Sequence, residues 1–98
     1  MMLKRLLKPS IGNRVFSNGA AEDDILYLLP RPRHGEVYTF FFDGEHSITI
    51  DSNSPEVPIL TEGGPSKTYE LNSEKNKVGD SIEVRCVGSI WRVIPRFF

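Results

Sequence analysis

Glycine and proline interrupt this chain so often that few stretches are long enough to form a helix. The 98 residues include eight glycines and seven prolines, about one such residue in every seven. The runs between them are short and rich in Val, Ile, Phe, Tyr and Thr, which is typical of strands separated by turns. The sequence therefore predicts an all-β fold, namely a small antiparallel β-sandwich or barrel with an extended N-terminal arm.

The length of the chain fits one domain with one modest core. Residues 1–13 carry Lys4, Arg5 and Lys8 and are predicted to form a basic N-terminal arm, with residues 14–98 as a single all-β domain. A helical turn in the arm would place its leucines on one face, but so short a helix orders only against something else. The sequence shows no convincing internal repeat at a period of about 20–50 residues.

The strongest strand signal covers residues 36–42, where aromatic and β-branched residues dominate. Asp43-Gly44 follows and gives the strongest hairpin signal, so residues 46–51 are predicted to return as the partner strand. Further strands are predicted at 14–17, 25–29, 59–60, 67–71, 81–87 and 90–94. A two-residue hairpin is predicted at Gly88-Ser89, with positive φ at Gly88. Pro95 is predicted to end the pairing of the last strand.

Cysteine and targeting signals limit the compartment and the cofactors. Cys86 stands alone, which excludes an intrachain disulfide, and with only His34 and His46 beside it a thiolate zinc site is excluded too. Cys86 is interpreted as a small buried apolar residue. No cofactor and no metal are predicted. The N-terminus lacks the apolar stretch and cleavage site of a signal peptide, so we expect a protein made in a cytoplasm.

Most catalytic templates are missing from the sequence. It contains no P-loop, no G-x-G-x-x-G and no G-x-S-x-G elbow. Glu22-Asp23-Asp24 lack EF-hand spacing and are interpreted as a solvated turn before a strand. So small a β domain also has little room for a substrate cleft, and the protein is not predicted to be an enzyme.

The net charge of −1 is unevenly distributed. Residues 1–33 carry six bases and three acids, residues 34–84 three bases and ten acids, and residues 85–98 three bases alone. Head-to-tail complementarity between copies of the chain would explain this distribution, and so would chance on a solvated surface. Tyr38, Phe40 and Phe42 share one strand face, but their acidic neighbours make single-stranded nucleic-acid binding the least favoured alternative.

Motifs in the second half of the chain carry a family resemblance. An upstream strand, Ser47-Ile48-Thr49-Ile50-Asp51, is followed by Gly79-Asp80-Ser81-Ile82-Glu83-Val84 and then by Gly88-Ser89-Ile90-Trp91-Arg92-Val93. Over residues 35–94 this pattern resembles a short all-β module of tailed-bacteriophage structural proteins, found in head decoration proteins, head fibres and tail fibres. In that module a G-D-S-I-x-V strand leads to a G-x-x-W-x-V strand.

The resemblance implies a non-enzymatic virion structural protein, a trimeric capsid decoration or fibre/tail component. Its implied partners are further copies of itself and a major capsid or tail protein, and its implied location is the virion after synthesis in the host cytoplasm. The alternative is a monomeric β-barrel adaptor or binding module that recognises a protein or glycan through the loop at 52–66. Trp91 is either a core residue or an interface residue. The terminal aromatic residues either fold back onto the core or insert into a neighbouring chain. The interface candidates are Lys4, Arg5, Leu6, Leu7, Lys8, Trp91, Arg96, Phe97 and Phe98.

Overall fold

The computed structural model describes residues 2–9 and 12–98, so that part of the predicted 1–13 arm lies outside the described residues. Within them the fold is all-β and contains no helix, as predicted. The ten strands are β1 Leu3–Leu6, β2 Asn13–Ser17, β3 Ile25–Leu28, β4 Val37–Phe42, β5 Ile48–Asp51, β6 Ile59–Thr61, β7 Gly64–Ser66, β8 Thr68–Leu71, β9 Asp80–Val87 and β10 Ile90–Arg96.

The strands form two sheets, and both are mixed rather than antiparallel. The first sheet has the order β1-β3-β5-β8, and the second has the order β2-β4-β9-β10-β6-β7. β1, β3 and β5 are parallel, as are β2 with β4 and β6 with β10. The predicted antiparallel arrangement is therefore wrong for these pairs, because consecutive strands of the N-terminal half lie in different sheets and not beside each other.

Through its first six strands the chain winds alternately between the two sheets. Leu3 is in register with Ile25, and Ile25 with Ile48, so one turn of the winding takes about 23 residues. We call each turn a rung: β1 with β2 is the first rung, β3 with β4 the second, and β5 with β6 the third. The β9–β10 hairpin lies between β4 and β6 in the second sheet.

The predicted arm is part of this winding. Leu3–Leu6 forms β1 and pairs along its length with β3, so neither a free arm nor a helical turn describes it. In a strand the inner face carries alternate residues, which are Leu3, Arg5 and the buried Leu7. A helix of eight residues would gain too few hydrogen bonds to compete with pairing along β3.

The Asp43-Gly44 segment is a crossing between sheets and not a hairpin. β4 lies in the second sheet and β5 in the first, so the two predicted partners do not pair. Gly44 is not among the glycines with positive φ, which the favoured two-residue hairpin would need. Instead Asn18, only 1% exposed, accepts the backbone N–H groups of Asp43 and Gly44 through Oδ1 and donates to the carbonyl of His46.

Side chains from both sheets meet in one core. Tyr38, Phe40 and Phe42 are all buried, whereas Phe41 points away, so the aromatic face of β4 is core as its alternation indicates. Ring contacts cross between the sheets, with centroids of Tyr27 and Phe40 separated by 4.9 Å. Cys86 is buried, as predicted, and burial raises the pKa of its thiol.

The C-terminal hairpin forms where the sequence places it. Val87 pairs with Ile90 around Gly88-Ser89, and Gly88 has a φ of 67°. Pro95 does not end the pairing, because β10 continues to Arg96 opposite Ser81. β6 pairs only with Trp91 and Arg92, so the second edge of β10 is unpaired at the proline, and such an edge accepts a residue without an N–H group.

Asp80 anchors the start of β9 and the C-terminus. Gly79 turns the chain with a φ of 100°, and Asp80 accepts the backbone N–H groups of Lys77 at 3.0 Å and Phe98 at 2.9 Å. These bonds, first that from Lys77 and then that from Phe98, lower the pKa of the Asp80 carboxyl. These hydrogen bonds favour the charged form of the Asp80 carboxyl, so the Gly79-Asp80 motif places a charged acceptor at the start of β9.

We expect the stability of the protein to decrease as the pH falls through this lowered pKa. A carboxyl whose pKa is lower in the folded than in the unfolded state stabilises the fold above its ordinary value near 3.9, and this contribution is lost on protonation. Thermal melts between about pH 3 and pH 7 measure the effect. Asp80→Asn should be less stable at neutral pH and should lose part of the acid dependence. An unchanged acid profile in Asp80→Asn would contradict the role given to Asp80.

Candidate functional site

Five of the predicted interface residues line one groove at the first rung. Lys4, Arg5, Leu6, Leu7 and Lys8 border a groove of about 400 Å³ together with Arg14 and Phe16 of β2. The groove lies between the outer strands of the two sheets and is lined by four bases and no acid. We call this surface, formed by β1 and β2, the basic edge.

The inner face of the first rung carries arginines where the next rung carries core residues. Arg5 is in register with the buried Tyr27, and Arg14 with the buried Tyr38. The guanidinium carbon of Arg14 lies 5.3 Å from the ring centroid of Phe16, a cation–π distance. Charges that point inward at the end of a sheet keep the core edge hydrated and admit only partners that neutralise them.

β1 presents unpaired backbone groups to solvent. The N–H groups of Leu3 and Leu7 donate to the carbonyls of Asp24 and Leu28 beside β3. Because alternate residues of a strand point their backbone groups to opposite sides, those of Lys4 and Leu6 face away from β3. No described strand lies on that side of β1. Leu6 is 66% exposed, so the outer face of the sheet beside this open side carries apolar surface.

The C-terminal end of the groove is tied to the core. The single proton of the Tyr38 hydroxyl is shared between two acceptors, the carbonyl of Lys8 at 2.9 Å and Glu36 Oε2 at 3.2 Å. Burial and, after it, the charge of Glu36 raise the pKa of Tyr38 to about 12, so this phenol stays protonated and keeps donating. Lys8 therefore has a fixed backbone and an exposed side chain.

A second open edge lies at the opposite end of both sheets. β7 and β8 border a groove of about 370 Å³, lined by two acids, Glu62 and Glu70, and one base, Lys75. The Tyr69 hydroxyl donates to Glu62 Oε1 at 3.1 Å, and burial followed by the charge of Glu62 raises the pKa of Tyr69 to about 12. We call this surface, formed by β7 and β8, the acidic edge.

The C-terminal interface candidates lie at or near the acidic edge. Phe97 lines its groove and is 45% exposed, and Phe98 is 83% exposed although its backbone is bound to Asp80. Arg96 lies 3.7 Å from Glu83 in an ion pair. The tail is thus held to the domain by its backbone while both rings remain available to solvent.

Trp91 lies in the core of the single chain. Its side chain is 0% exposed and its ring centroid lies 5.8 Å from that of Tyr38. Among the described residues its indole Nε1 has no hydrogen-bond partner. Burial of this kind leaves no indole surface for a neighbouring chain, so the core interpretation of Trp91 fits the structure and the interface interpretation does not.

Two further groups of polar residues lie outside these grooves. Asp23, Asp24 and His46 bring ligand atoms within 4.8 Å of one another, but Asp24 accepts the Ser47 N–H at 2.8 Å and lies 3.5 Å from His46 Nδ1. These contacts tie the acidic segment before β3 to the residue that precedes β5. His34 Nδ1 accepts the Gly88 N–H at 2.9 Å and so supports the C-terminal hairpin.

A groove larger than those at the two edges borders the loop of the alternative function. It has a volume of about 570 Å³ and is bordered by residues 29–32, by Ser89 and by Ser52, Asn53, Ser54, Glu56 and Val57 of the 52–66 loop. Arg31 and Glu56 supply opposite charges there. Its mixed polar and apolar lining suits a glycan or a peptide, which offers both hydrogen-bonding groups and apolar surface.

Comparison with known proteins adds no relative to this description. Neither protein-family models, nor curated proteins, nor solved structures gave a match to the chain. The described residues contain no helix that is long and apolar enough to cross a membrane.

Proposed function

We propose that this protein is a non-enzymatic structural component of a tailed-bacteriophage virion, a capsid decoration or fibre/tail protein. Its two sheets are taken as a β-sandwich, and it assembles as a trimer that docks on a major capsid or tail protein. The observation that carries this proposal is the basic edge, where β1 offers unpaired N–H groups beside the exposed Leu6. The resemblance over residues 35–94 supplies the setting in a virion.

Strand addition is the interaction that such an edge supports. An extended segment of another chain would take the hydrogen bonds that Lys4 and Leu6 leave open, and its side chains would meet alternate faces of the sheet. Lysine on an edge strand and inward charge at Arg5 discourage pairing with most strands. The edge therefore selects a partner strand that carries acidic residues, which gives the assembly its specificity.

We expect Leu6→Pro to abolish assembly without unfolding the domain. The Leu6 N–H faces the open side, so a proline removes the donor offered to a partner and leaves the pairing of β1 with β3 intact. Leu6→Thr is the matched control, because it removes the apolar side chain but keeps the N–H group. Light scattering should give a mass near three chains for the wild type and the control, and one chain for Leu6→Pro. Trimers of Leu6→Pro would contradict docking through this edge.

A monomeric binding module is the second candidate function. The groove at residues 29–32 and 52–57 favours it, because this groove is larger than those at the two edges and is open to solvent. Persistent single-chain mass in the wild type at both low and high concentration would favour this function over the assembled one. Arg31→Ala would then be expected to weaken binding in a glycan or peptide screen, with Arg92→Ala as an exposed control outside the groove.

A further inference from the structure

We infer that the partner of the basic edge is the acidic edge of a second copy of this chain, with β1 of one copy pairing antiparallel with β8 of the next. This inference rests on the proposed function and names the surface that completes its docking site. It unites charged surfaces at opposite ends of the molecule: the four bases beside β1 and β2, and Glu62 and Glu70, which outnumber the one base Lys75, beside β7 and β8.

The strand directions agree at both ends. β8 runs antiparallel to β5 in the first sheet, and β7 runs antiparallel to β6 in the second. β1 and β2 run in the same direction as the strands of the later rungs. A second copy in the same orientation therefore places its β1 antiparallel to β8 and its β2 antiparallel to β7. The first sheet carries the junction, because β7 has only three residues with Pro65 at their centre.

Backbone groups on the two edges also match. The N–H of Ser52 donates to the carbonyl of Lys67, so Lys67 faces β5. By the alternation of an antiparallel ladder, the backbone groups of Thr68 and Glu70 face the open side, as those of Lys4 and Leu6 do in β1. The Ser66 hydroxyl bonds both backbone groups of Thr68, so Glu70 is the fully free position on β8, while the Thr68 carbonyl keeps a second lone pair that can accept the Leu6 N–H.

The sheet faces then fix the register. We align β1 of the second copy with β8 in the same register that β5 has on the other side of β8, which keeps the inner faces together. In this register Lys4 lies opposite Glu70, and Arg5 lies opposite Tyr69. Lys4 thus meets a carboxylate on the outer face. On the inner face Arg5 meets the ring of Tyr69, whose hydroxyl is bonded to Glu62.

A shift by two residues would place Arg5 beside the fully buried Leu71 and lose this match. Pairing of two basic edges with each other would set like charges face to face, which destabilises a cross-strand pair.

A junction between two different surfaces builds rings or filaments. Each copy has one basic edge and one acidic edge, so every added copy leaves both kinds of edge at the ends until the assembly closes. A cyclic trimer needs this kind of contact, because each of its subunits uses two different surfaces. Phe97, exposed in the groove of the acidic edge, adds apolar surface to the junction.

Charge reversal tests the pairing of Lys4 with Glu70. Lys4→Glu and Glu70→Lys are exposed substitutions that should leave the fold intact, and each should weaken self-association about tenfold or more. Combining both changes in one chain should restore association, because opposite charges again face each other at every junction. Mixing the two single variants should restore pairs but not a closed ring of three, because such a ring keeps one junction between like charges. Arg92→Glu and Glu45→Lys, exposed residues away from both edges, are controls expected to assemble like the wild type. The readout is mass by light scattering over a concentration series.

Other outcomes separate the inference from the proposed function. Loss of assembly in Lys4→Glu alone, with Glu70→Lys unaffected, would overturn the β8 partner and keep the basic edge as a docking site. Assembly unaffected by either reversal would overturn both. A wild type that stays a single chain at every concentration would overturn the inference and the proposed trimer. Failure of the double variant Lys4→Glu, Glu70→Lys to restore association would likewise overturn the pairing.

Discussion

Trp91→Ala is expected to destabilise the fold by about 3–5 kcal/mol, the range measured when a large buried aromatic is truncated to alanine. Trp91 is 0% exposed, and it packs against Tyr38 where β10 faces the core. Domains of this size are stable by about 5–15 kcal/mol, so the variant should be close to unfolding at ordinary temperature. Urea denaturation followed by far-ultraviolet circular dichroism measures the change.

Trp91→Phe is the matched control for this prediction. The indole Nε1 has no hydrogen-bond partner among the described residues, so phenylalanine loses volume but no hydrogen bond. We expect a smaller destabilisation of about 1–2 kcal/mol and an unchanged mass by light scattering. A stable Trp91→Ala domain that had lost only its self-association would contradict the core position of this residue.

Asn18→Ala is expected to destabilise the fold by about 2–4 kcal/mol. The Asn18 amide holds the crossing from β4 to β5: it accepts two backbone N–H groups, from Asp43 and Gly44, and donates to the carbonyl of His46. Alanine would leave these three groups without their partner in a partly buried place. The melting temperature should fall by roughly 8–30 °C at about 4–8 °C per kcal/mol.

Asn18→Asp separates the two halves of this network. Aspartate keeps the oxygen that accepts from Asp43 and Gly44 but loses the amide that donates to His46. Its stability should lie between those of the wild type and Asn18→Ala. Equal stability of all three proteins would show that the crossing is held by other contacts.

The position of strands was largely predictable from local sequence, because alternation needs only neighbouring residues. Ile82, Val84 and Cys86 fall on one face of β9 and are buried, as their spacing predicts. Gly88 likewise takes positive φ because a two-residue hairpin requires it. The all-β class followed from the frequency of glycine and proline.

The assignment of strands to sheets was not predictable in the same way. Asp43-Gly44 carries a hairpin signal, yet Asn18, 25 residues earlier than Asp43, binds this segment and directs the chain across to the other sheet. A contact so distant in sequence leaves no local pattern. The rungs leave only a weak pattern in the sequence. Arg14-x-Phe16 and Tyr38-x-Phe40 repeat the same alternation about 24 residues apart, but the two segments share few residue types.

The basic edge was within reach of the sequence and the acidic edge was not. Lys4, Arg5 and Lys8 are clustered along the chain, so their shared surface follows from proximity alone. Glu62 lies in the turn between β6 and β7 and Glu70 lies in β8, and the two border one groove because β7 and β8 are the far edge strands of the two sheets. The position of these two carboxylates in one groove depends on the topology of the sheets. Charge counts by segment show only that charge is unevenly distributed along the chain.

Amide hydrogen exchange at two protein concentrations tests the central claim of strand-edge assembly most directly. The N–H groups of Lys4 and Leu6 face the open side of β1 and should exchange quickly in the dilute protein. If β1 pairs with another copy, their exchange should slow as the concentration rises, and that of Glu70 in β8 should slow with it. Equal exchange of these three amides at both concentrations, in a protein that shows assembly by light scattering, would contradict assembly through the edges of the sheets.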